Sequence, residues 1–494
     1  MSHRDPPALA ARWFPAPPVT LHTPGAGAGR FSTVEEARAF LAELARAPGA
    51  RLERLGASSG GCPIEALVVE GSGPDPIRVL VQARAHGDEP AGTEGALELA
   101  YRLLAGRPGR RAGATVMVVP VLNPDGARAL SRRTAGNRDP NRDFLRSEST
   151  VTRAVLTALR RFDPEVVADL HEHTVWGRMG DPHEASATTA PTDAMALGPN
   201  QPNLLPALRG LTTERFVGGI GRTLAAAGLR FAPYRLLLRD GGERLRVRAP
   251  GPGLLSGRNA IALGGRVSVL VESRGIGIGT QHLVRRTYTQ YLAARSVVET
   301  ASAHAAAVRS VTAAARARAA AGGRWILRLA PRREEVRYPL LVAASNEVEP
   351  VRAVLYGGAS QTPTATLEAP RGYVLPPGAA DLVASLERLG VRTEPLEALG
   401  PFLVEVLRVR AFERGRGRLF GGHDAGRTRD HRIAVAAATE PRRFPSGSRI
   451  ASTAQPNALY LLALEPESRS SFAAQSHWGE GLEAGFEFPV YRLR

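Results

Sequence analysis

The stretch that decides the fold is VVADLHEH (Val166–His173), an apolar run that ends in histidine. Three other runs share its design, since each is rich in Val and Leu and ends in a polar residue: VLVQARAH (Val79–His86), TVMVVPVLN (Thr115–Asn123) and VSVLVE (Val267–Glu272). Such runs, separated by helical patterns, are typical of strands buried on both faces of a sheet. We therefore predict an α/β fold with a mixed, largely parallel central sheet flanked by helices.

The ends of these strands carry a possible set of metal ligands. Ligands bind beyond the carboxyl ends of the strands in open sheets of this kind, so we expect the polar ends to meet at one edge. His86 and Glu89 follow one strand, and His171 and His173 lie at the end of another. A spacing of two keeps both of these histidines on one face of a strand. Two histidines and one carboxylate leave the fourth position of a tetrahedral zinc ion open, as in a catalytic site.

Five motifs, in this order, resemble those of the zinc metallocarboxypeptidase family, the relatives of carboxypeptidase A. They are H-x-x-E (His86, Glu89), NPDG (Asn123–Gly126), D-x-N-R (Asp139–Arg142), D-L-H (Asp169–His171) and V-E-S-R-G (Val271–Gly275). The resemblance implies a hydrolase that removes the C-terminal residue of a peptide with a free terminal carboxylate. It also implies one Zn²⁺ ion bound by His86, Glu89 and His171, and thus favours His171 over His173. Asp169 or a backbone carbonyl is expected to orient an imidazole.

The resemblance further implies two catalytic roles. Glu272 is expected to be the general base that takes a proton from the attacking water and passes it to the leaving amine. An arginine upstream of Asp139 is expected to stabilise the developing oxyanion, which is electrostatic work suited to a fixed cation. Counting back without a gap gives Arg132, and a one-residue deletion gives Arg133.

Substrate binding is implied for Asn141 and Arg142, which match the family's anchor for the terminal carboxylate. The planar fork of arginine binds a carboxylate through two parallel hydrogen bonds.

The sequence departs from the family pattern at two places. Pro140 replaces the usual residue between the Asp and the Asn of the D-x-N-R motif, and it fixes the local backbone. The 30 residues before Glu272 contain no Tyr where the family has a substrate-capping one, and Tyr234 is the nearest. Arg258 and Asn259 occupy that region instead. We expect Arg258 to meet an acidic side chain of the substrate or to take over carboxylate binding.

The pattern divides the 494 residues into three parts. Residues 1–30 are rich in Pro, Ala and Gly and predict an irregular arm. Residues 31–320 form the predicted zinc carboxypeptidase-like domain, and a capping box at Ser32–Glu35 opens its first helix. Residues 321–494 show short alternating segments with Gly/Pro turns, which predict a mostly β domain of unknown role.

Composition limits the partners and the compartment. The 64 basic residues are all Arg and give a net charge of +17, but they are scattered, and only 5% of residues are aromatic. This gives no stacking platform for a nucleic acid, so we predict no nucleic-acid partner. No apolar run is long enough for a membrane span. A lone Cys62 excludes an intrachain disulfide, and the N-terminus lacks a secretory h-region. The sequence as given predicts a cytoplasmic protein, or a periplasmic or secreted one if a signal was removed.

Two other functions remain open beside the metallocarboxypeptidase. One is an amidase or endopeptidase of the same scaffold that acts on cell-wall peptides or N-acyl amino acids, which Pro140 and the missing Tyr favour. The other is a non-catalytic binding protein on a hydrolase fold. The intact ligand set together with Glu272 argues against the latter.

Overall fold

A computed structural model describes residues 3–105, 113–176, 179, 181, 183–184, 187–239, 245–330, 332–357, 362–397, 400–415, 431–479 and 481–494. The helices before residue 321 are, in chain order, α1 (Pro7–Trp13), α2 (Pro24–Gly27), α3 (Val34–Leu44), α4 (Ala91–Ala105), α5 (Pro124–Arg128), α6 (Thr150–Arg161), α7 (Pro206–Leu211), α8 (Gly218–Ala226), α9 (Gly257–Leu263), α10 (Leu283–Ala303) and α11 (Ala305–Ala320). The strands are β1 (Ala50–Ala57), β2 (Pro63–Val69), β3 (Ile77–Ala83), β4 (Ala114–Val119), β5 (Val166–Thr174), β6 (Thr188–Thr189), β7 (Ala194–Leu197), β8 (Phe231–Pro233), β9 (Leu236–Arg239), β10 (Leu245–Arg248) and β11 (Val267–Ile276). A 3-10 turn spans Pro140–Arg142, and a π-helical turn spans Thr212–Val217.

The region after residue 320 is mostly β. Its strands are β12 (Arg324–Leu329), β13 (Arg333–Val342), β14 (Glu347–Tyr356), β15 (Pro363–Glu368), β16 (Gly372–Leu375), β17 (Glu394–Pro395), β18 (Phe402–Glu413), β19 (Arg432–Arg442), β20 (Arg449–Ser452) and β21 (Glu487–Leu493). One α-helix, α12 (Ala380–Arg388), and 3-10 turns at Pro377–Ala379, Ala458–Leu464 and Ala473–Gln475 lie among the described residues of this region.

An eight-stranded sheet in the order β1-β2-β4-β3-β5-β11-β7-β8 carries the polar strand ends. Strands β4, β3, β5 and β11 run parallel to one another. Strand β2 pairs antiparallel with β1 and β4, and β7 pairs antiparallel with β11 but parallel with β8. The predicted α/β class with a mixed, largely parallel sheet is confirmed. Strand β1 escapes prediction because it is an edge strand, ARLERLGA, whose side chains are mostly exposed or half-buried.

Helices cover both faces of this sheet. Along β3, Val79 and Val81 belong to one apolar layer together with α4 and α10, and Leu80 belongs to the opposite layer with α6 and α9. Full burial of each Val or Leu contributes about 1.5–3 kcal/mol. Because both faces are buried, the central strands read as continuous apolar runs and not as alternating ones. No helix in the described part of the chain has the length and apolarity that a bilayer crossing requires.

The β-rich region shares structure with the preceding residues. A five-stranded sheet, in the order β6-β13-β14-β10-β9, joins strands from both sides of residue 320, and β10 pairs parallel with β14. Val155 and Leu159 of α6 also lie in one apolar cluster with Leu382 and Leu386 of α12. The boundary expected at residue 320 therefore falls within a shared sheet and core, and the three-part division stays a prediction.

Helix α3 begins one residue later than the predicted capping box. Its N-cap is Thr33, whose Oγ1 accepts a hydrogen bond from the Glu36 backbone N–H at 3.1 Å. The Glu36 carboxylate accepts one from the Thr33 N–H at 2.8 Å. Ser32 instead accepts a hydrogen bond from the backbone N–H of Gly25. Both Ser32 and Thr33 have an acidic residue three positions on, so the motif alone could not choose between them.

The N-terminal segment, expected to be irregular, contains α1 and α2 and is tied to the sheet. Asp5 is buried and forms an ion pair with Arg274 of β11. Its carboxylate also accepts a hydrogen bond from Trp176 Nε1 at 2.7 Å and lies 2.8 Å from His282 Nε2. The Arg274 guanidinium stacks on Phe14, with 3.9 Å from its carbon to the ring centroid. These contacts join residues more than 160 positions apart, so no local pattern predicts them.

We expect Asp5→Asn to destabilise the protein by about 3–5 kcal/mol at pH 7, because it leaves Arg274 buried without its counter-charge. Burial raises the pKa of Asp5, but the Arg274 charge and the hydrogen bonds from His282, Arg274 and Trp176 outweigh it and hold the pKa well below its usual value of 3.8. The ionised form therefore stabilises the fold above about pH 4, and this contribution is lost as the pH falls further.

Urea unfolding of wild type and variant between pH 7 and pH 3 measures this difference, which should shrink in acid. Asp75→Asn is the matched control, because the Asp75 side chain is 71% exposed. An equal loss of stability in both variants would contradict a special role for Asp5.

Candidate active site

The predicted metal ligands converge beside the ends of β3 and β5. His86 Nδ1 lies 2.8 Å from one oxygen of Glu89, and His171 Nδ1 lies 2.8 Å from the other. The two Nδ1 atoms are 3.1 Å apart. All three side chains are buried, and their ligand atoms lie within 4.8 Å of one another. The structure thus brings together residues from two separate strands in the arrangement that the sequence predicts.

The surroundings of these ligands fit zinc. Asp139 lies 3.0 Å from Nε2 of His86, and Asp169 lies 3.1 Å from Nε2 of His171. A carboxylate on one ring nitrogen fixes the tautomer and leaves the other nitrogen as an acceptor. Burial alone would raise the pKa of Glu89, but the two imidazoles outweigh it and hold the carboxylate ionised. Two imidazole nitrogens and one carboxylate around a single point form a zinc donor set.

His173, the alternative ligand, lies on the same face but does not join the cluster. Its Nδ1 donates a hydrogen bond to the carbonyl of Thr174 at 3.1 Å, and burial lowers the pKa of His173 to about 4. Strand β5 continues to Thr174, so His173 lines the cavity beyond the ligands. The parity argument is correct, and the position along the strand distinguishes the two histidines.

Arg132 lies against the ligand cluster. One of its terminal nitrogens, Nη1, is 3.0 Å from His86 Nδ1, and the other, Nη2, is 2.9 Å from Asp139. Although burial lowers the pKa of Arg132, the charges of Asp139 and Glu89 raise it overall, so the side chain is a fixed cation. Arg133 directs Nη1 to the carbonyl of Asn137 at 2.8 Å. Of the two arginines that the sequence left open, Arg132 lines the cavity.

Glu272 reaches the same cavity from β11. Strand β11 runs parallel to β5 with Glu272 opposite His171, and this register puts both side chains on one face. Burial raises the pKa of Glu272 to about 7, and the charge of Glu89 adds to this, whereas His171, His86 and Arg132 oppose it.

Tyr234 is a cavity residue that the sequence did not assign. Its hydroxyl donates a hydrogen bond to Glu272, and burial and that carboxylate raise the pKa of Tyr234 well above its usual value. It follows the short strand β8, outside the family's usual region for a Tyr. The one signal in the sequence that could have identified Tyr234 is that it is the nearest Tyr before Glu272.

The loop that carries Asn141 and Arg142 accommodates Pro140. Asp139 caps the 3-10 turn by accepting a hydrogen bond from the Asn141 N–H, and Pro140 occupies the first position of the turn, where its ring is tolerated. Asn141 Oδ1 accepts a hydrogen bond from the backbone N–H of Gly257 at 2.7 Å. Pro140 therefore leaves Asn141 and Arg142 on the cavity wall.

Arg258 is buried at the start of α9 and lines the same cavity. Its Nη2 donates to the side-chain oxygen of Asn200 at 2.6 Å and to the Gly251 carbonyl at 3.1 Å. Burial lowers the pKa of Arg258 to about 10, and Arg142 contributes to this shift. Among the described residues, no carboxylate forms an ion pair with Arg258, and its Nε has no hydrogen-bond acceptor. Neighbouring Asn259 instead donates to the carbonyls of the Gly251–Gly253 loop.

The cavity that these side chains enclose has a volume of about 230 Å³. Met195, Leu270 and Trp176 supply apolar wall. The sequence-predicted residues that line it are His86, Glu89, Arg132, Asn141, Arg142, Arg258 and Glu272. The third ligand, His171, contacts Glu89, and its backbone carbonyl accepts a hydrogen bond from the side chain of Gln290 at 2.6 Å. Asn123, the fourth strand end, caps α5 and donates to the Ala85 carbonyl, so it supports the loop of His86 from outside the cavity.

Several known proteins are similar to this chain in sequence or in structure. The family described as zinc carboxypeptidase matches residues 37–162. Carboxypeptidase 2 of Trichophyton rubrum is 31% identical over 441 residues, which cover 85% of this chain and 77% of that protein. Carboxypeptidase 2 of Trichophyton equinum is 30% identical over the same length and shares. A metallo-carboxypeptidase from Pseudomonas aeruginosa, solved in complex with (2-guanidinoethylmercapto)succinic acid, is 22% identical with a TM-score of 0.40 and covers 56% of this chain and 70% of its own.

Two findings agree with each other. The chain is 31% identical to a carboxypeptidase and covers 77% of its length, and His86, Glu89 and His171 form a cluster that could hold a metal ion. The chain therefore belongs to the zinc carboxypeptidase family and is a zinc-dependent metallocarboxypeptidase that acts on peptides.

Proposed function

We propose that Glu272 is the general base of this carboxypeptidase. The observation that carries the proposal is the register of Glu272 opposite His171, which puts a buried carboxylate of β11 beside the ligand cluster and in the lining of the same cavity. A base works best when its pKa is close to the working pH, because it must both accept a proton and return it. Burial, which raises the pKa of Glu272 to about 7, provides that balance.

His86, Glu89 and His171 would hold the zinc ion. When bound, zinc supplies a Lewis acid that polarises the scissile carbonyl and lowers the pKa of water. Glu272 accepts the proton of the attacking water and returns it to the leaving amine. The Arg132 guanidinium, fixed by Asp139, stabilises the negative charge that develops on the carbonyl oxygen.

The terminal carboxylate of the peptide binds, in this proposal, between Asn141 and Arg142. Arg258 adds a second guanidinium at the same cavity. A buried cation without a carboxylate partner is costly, and an anion of the substrate would offset that cost. The anion is either the terminal carboxylate or an acidic C-terminal side chain.

We expect Glu272→Gln to lower kcat by about 10²–10⁴-fold, because the amide cannot accept the proton. Zinc content should stay at one ion per chain, since the three ligands are unchanged. Metal analysis and kcat on a blocked dipeptide measure both. In the control His171→Ala, zinc and activity should be lost together. Activity of Glu272→Gln close to wild type would exclude the general-base role.

Arg132→Ala should lower kcat by about 10²–10³-fold, as expected when a group that stabilises an oxyanion is removed. Arg133→Ala is the matched control and should retain nearly full activity, because its side chain binds the Asn137 carbonyl. Both variants are compared at equal zinc content, since Arg132 also touches His86. Equal losses in the two variants would contradict the assignment.

Peptides that end in Glu, Leu or an amidated Leu test the carboxylate site in wild type and Arg258→Ala. The amidated peptide should resist cleavage. If Arg258 binds an acidic side chain, kcat/KM of the variant should fall about tenfold or more for the peptide that ends in Glu and stay unchanged for the peptide that ends in Leu. If Arg258 binds the terminal carboxylate, kcat/KM should fall equally for both peptides with a free C-terminus. Wild-type rates of the variant on both free peptides would count against any role in binding.

A further inference from the structure

A second cleft, of about 810 Å³, lies between β10 and the C-terminal sheets. Its walls come from the ends of β12, β14, β18 and β19 and from the loop that contains Glu467 and Arg469. Leu238, Arg248 and Gly251 line both this cleft and the catalytic cavity. The two spaces therefore adjoin each other at these three residues.

The lining of this cleft is basic. Its described residues include five arginines and two glutamates: Arg246, Arg248, Arg328, Arg432, Arg469, Glu413 and Glu467. Glu413 lies 3.7 Å from Arg432, and both side chains are 71% exposed, so this pair is weak. A concave surface lined mainly by one sign of charge concentrates ligands of the opposite sign.

Apolar surface accompanies the charge. The Arg246 guanidinium lies over the ring of Tyr356, 5.4 Å from its centroid, and Phe412 and Ile433 line the opposite side. A site for a small inorganic anion would need few such groups, whereas a peptide needs both apolar contacts and charge.

We propose that this cleft binds the part of the substrate upstream of the scissile bond and that it favours acidic side chains there. The inference rests on the proposed function, because anchoring the C-terminus at Asn141 and Arg142 requires the preceding residues to leave the catalytic cavity. Because the cavity and the basic cleft adjoin at Leu238, Arg248 and Gly251, residues that leave the cavity on this side would meet the cleft. An extended peptide spans about 3.3–3.6 Å per residue, so a few upstream residues suffice to enter it.

Three substrates with one common C-terminal dipeptide test this proposal: the blocked dipeptide alone, a decapeptide with four upstream Glu residues, and the same decapeptide with Gln in their place. In wild type at low salt, the acidic decapeptide should have a kcat/KM about tenfold above that of the Gln decapeptide, mainly through KM, since each exposed charge contact contributes a few-fold at most. Raising the salt to about 0.5 M should remove most of this difference.

The double variant Arg246→Gln/Arg432→Gln should lose the preference for acidic peptides and keep wild-type rates on the dipeptide. Both positions line the cleft and neither lines the catalytic cavity. Arg337→Gln, on the exposed face of β13, is the matched control and should keep the preference.

Equal kcat/KM for the two decapeptides in wild type, with the dipeptide cleaved, would overturn the inference and leave the proposed function intact. Failure to cleave any of the three peptides would overturn the proposed function and the inference with it. Binding of a labelled acidic decapeptide to Glu272→Gln gives an independent readout. A single-stranded oligonucleotide could also be added to this complex. If it binds more tightly than the peptide and displaces it from the cleft, the cleft is a nucleic-acid site and the proposal is overturned.

Discussion

The buried charge of Glu89 is the constraint on which the site depends. A carboxylate that is almost fully withdrawn from water is tolerated only when cationic or hydrogen-bonding groups surround it. Here it lies between two imidazoles that arrive from β3 and β5, and Asp139 and Asp169 hold the far nitrogen of each ring. The parallel pairing of β3, β5 and β11 therefore does two things: it buries apolar side chains, and it brings the charged groups of the site together.

Acidic and basic side chains both line this cavity. Glu272 and Arg132 lie beside the ligand cluster, whereas Arg142 and Arg258 come from the 3-10 turn and from α9. Arg142 contributes to the lowered pKa of Arg258, so the two cations repel each other in the absence of an anion. In the proposed binding mode, a peptide whose terminal carboxylate lies at Asn141 and Arg142 would present its scissile carbonyl to the ligand cluster and Glu272. Such binding would orient the substrate before any chemistry occurs.

Much of this site could be predicted from the sequence, because its signals are local. Apolar runs that end in His86, His171 or Glu272 report both the buried strand and the side of the sheet on which the polar group lies. Features formed by distant residues could not be predicted in this way. Asp5 contacts Arg274, which lies more than 260 positions later in the chain, and Tyr234, which contacts Glu272, directly follows a strand of only three residues. The choice between Arg132 and Arg133 likewise needed the loop conformation.

The boundary near residue 320 shows a different limit of prediction from sequence. The alternating β pattern after it is real, but composition gave no sign that β13 and β14 complete a sheet with β6, β9 and β10. Strand pairing depends on backbone groups that every residue carries, so the partner of a strand is not visible in its side chains.

That shared sheet makes the two halves of the polypeptide mutually dependent. A chain ending near residue 320 would expose the backbone N–H and C=O groups of β10 that now pair with β14, next to the cavity wall formed by Leu236, Leu237 and Leu238. Backbone groups left unpaired at a strand edge are a template for pairing with another chain. We therefore expect removal of the extension to favour self-association and to disturb the cavity wall that β9 provides through its pairing with β10.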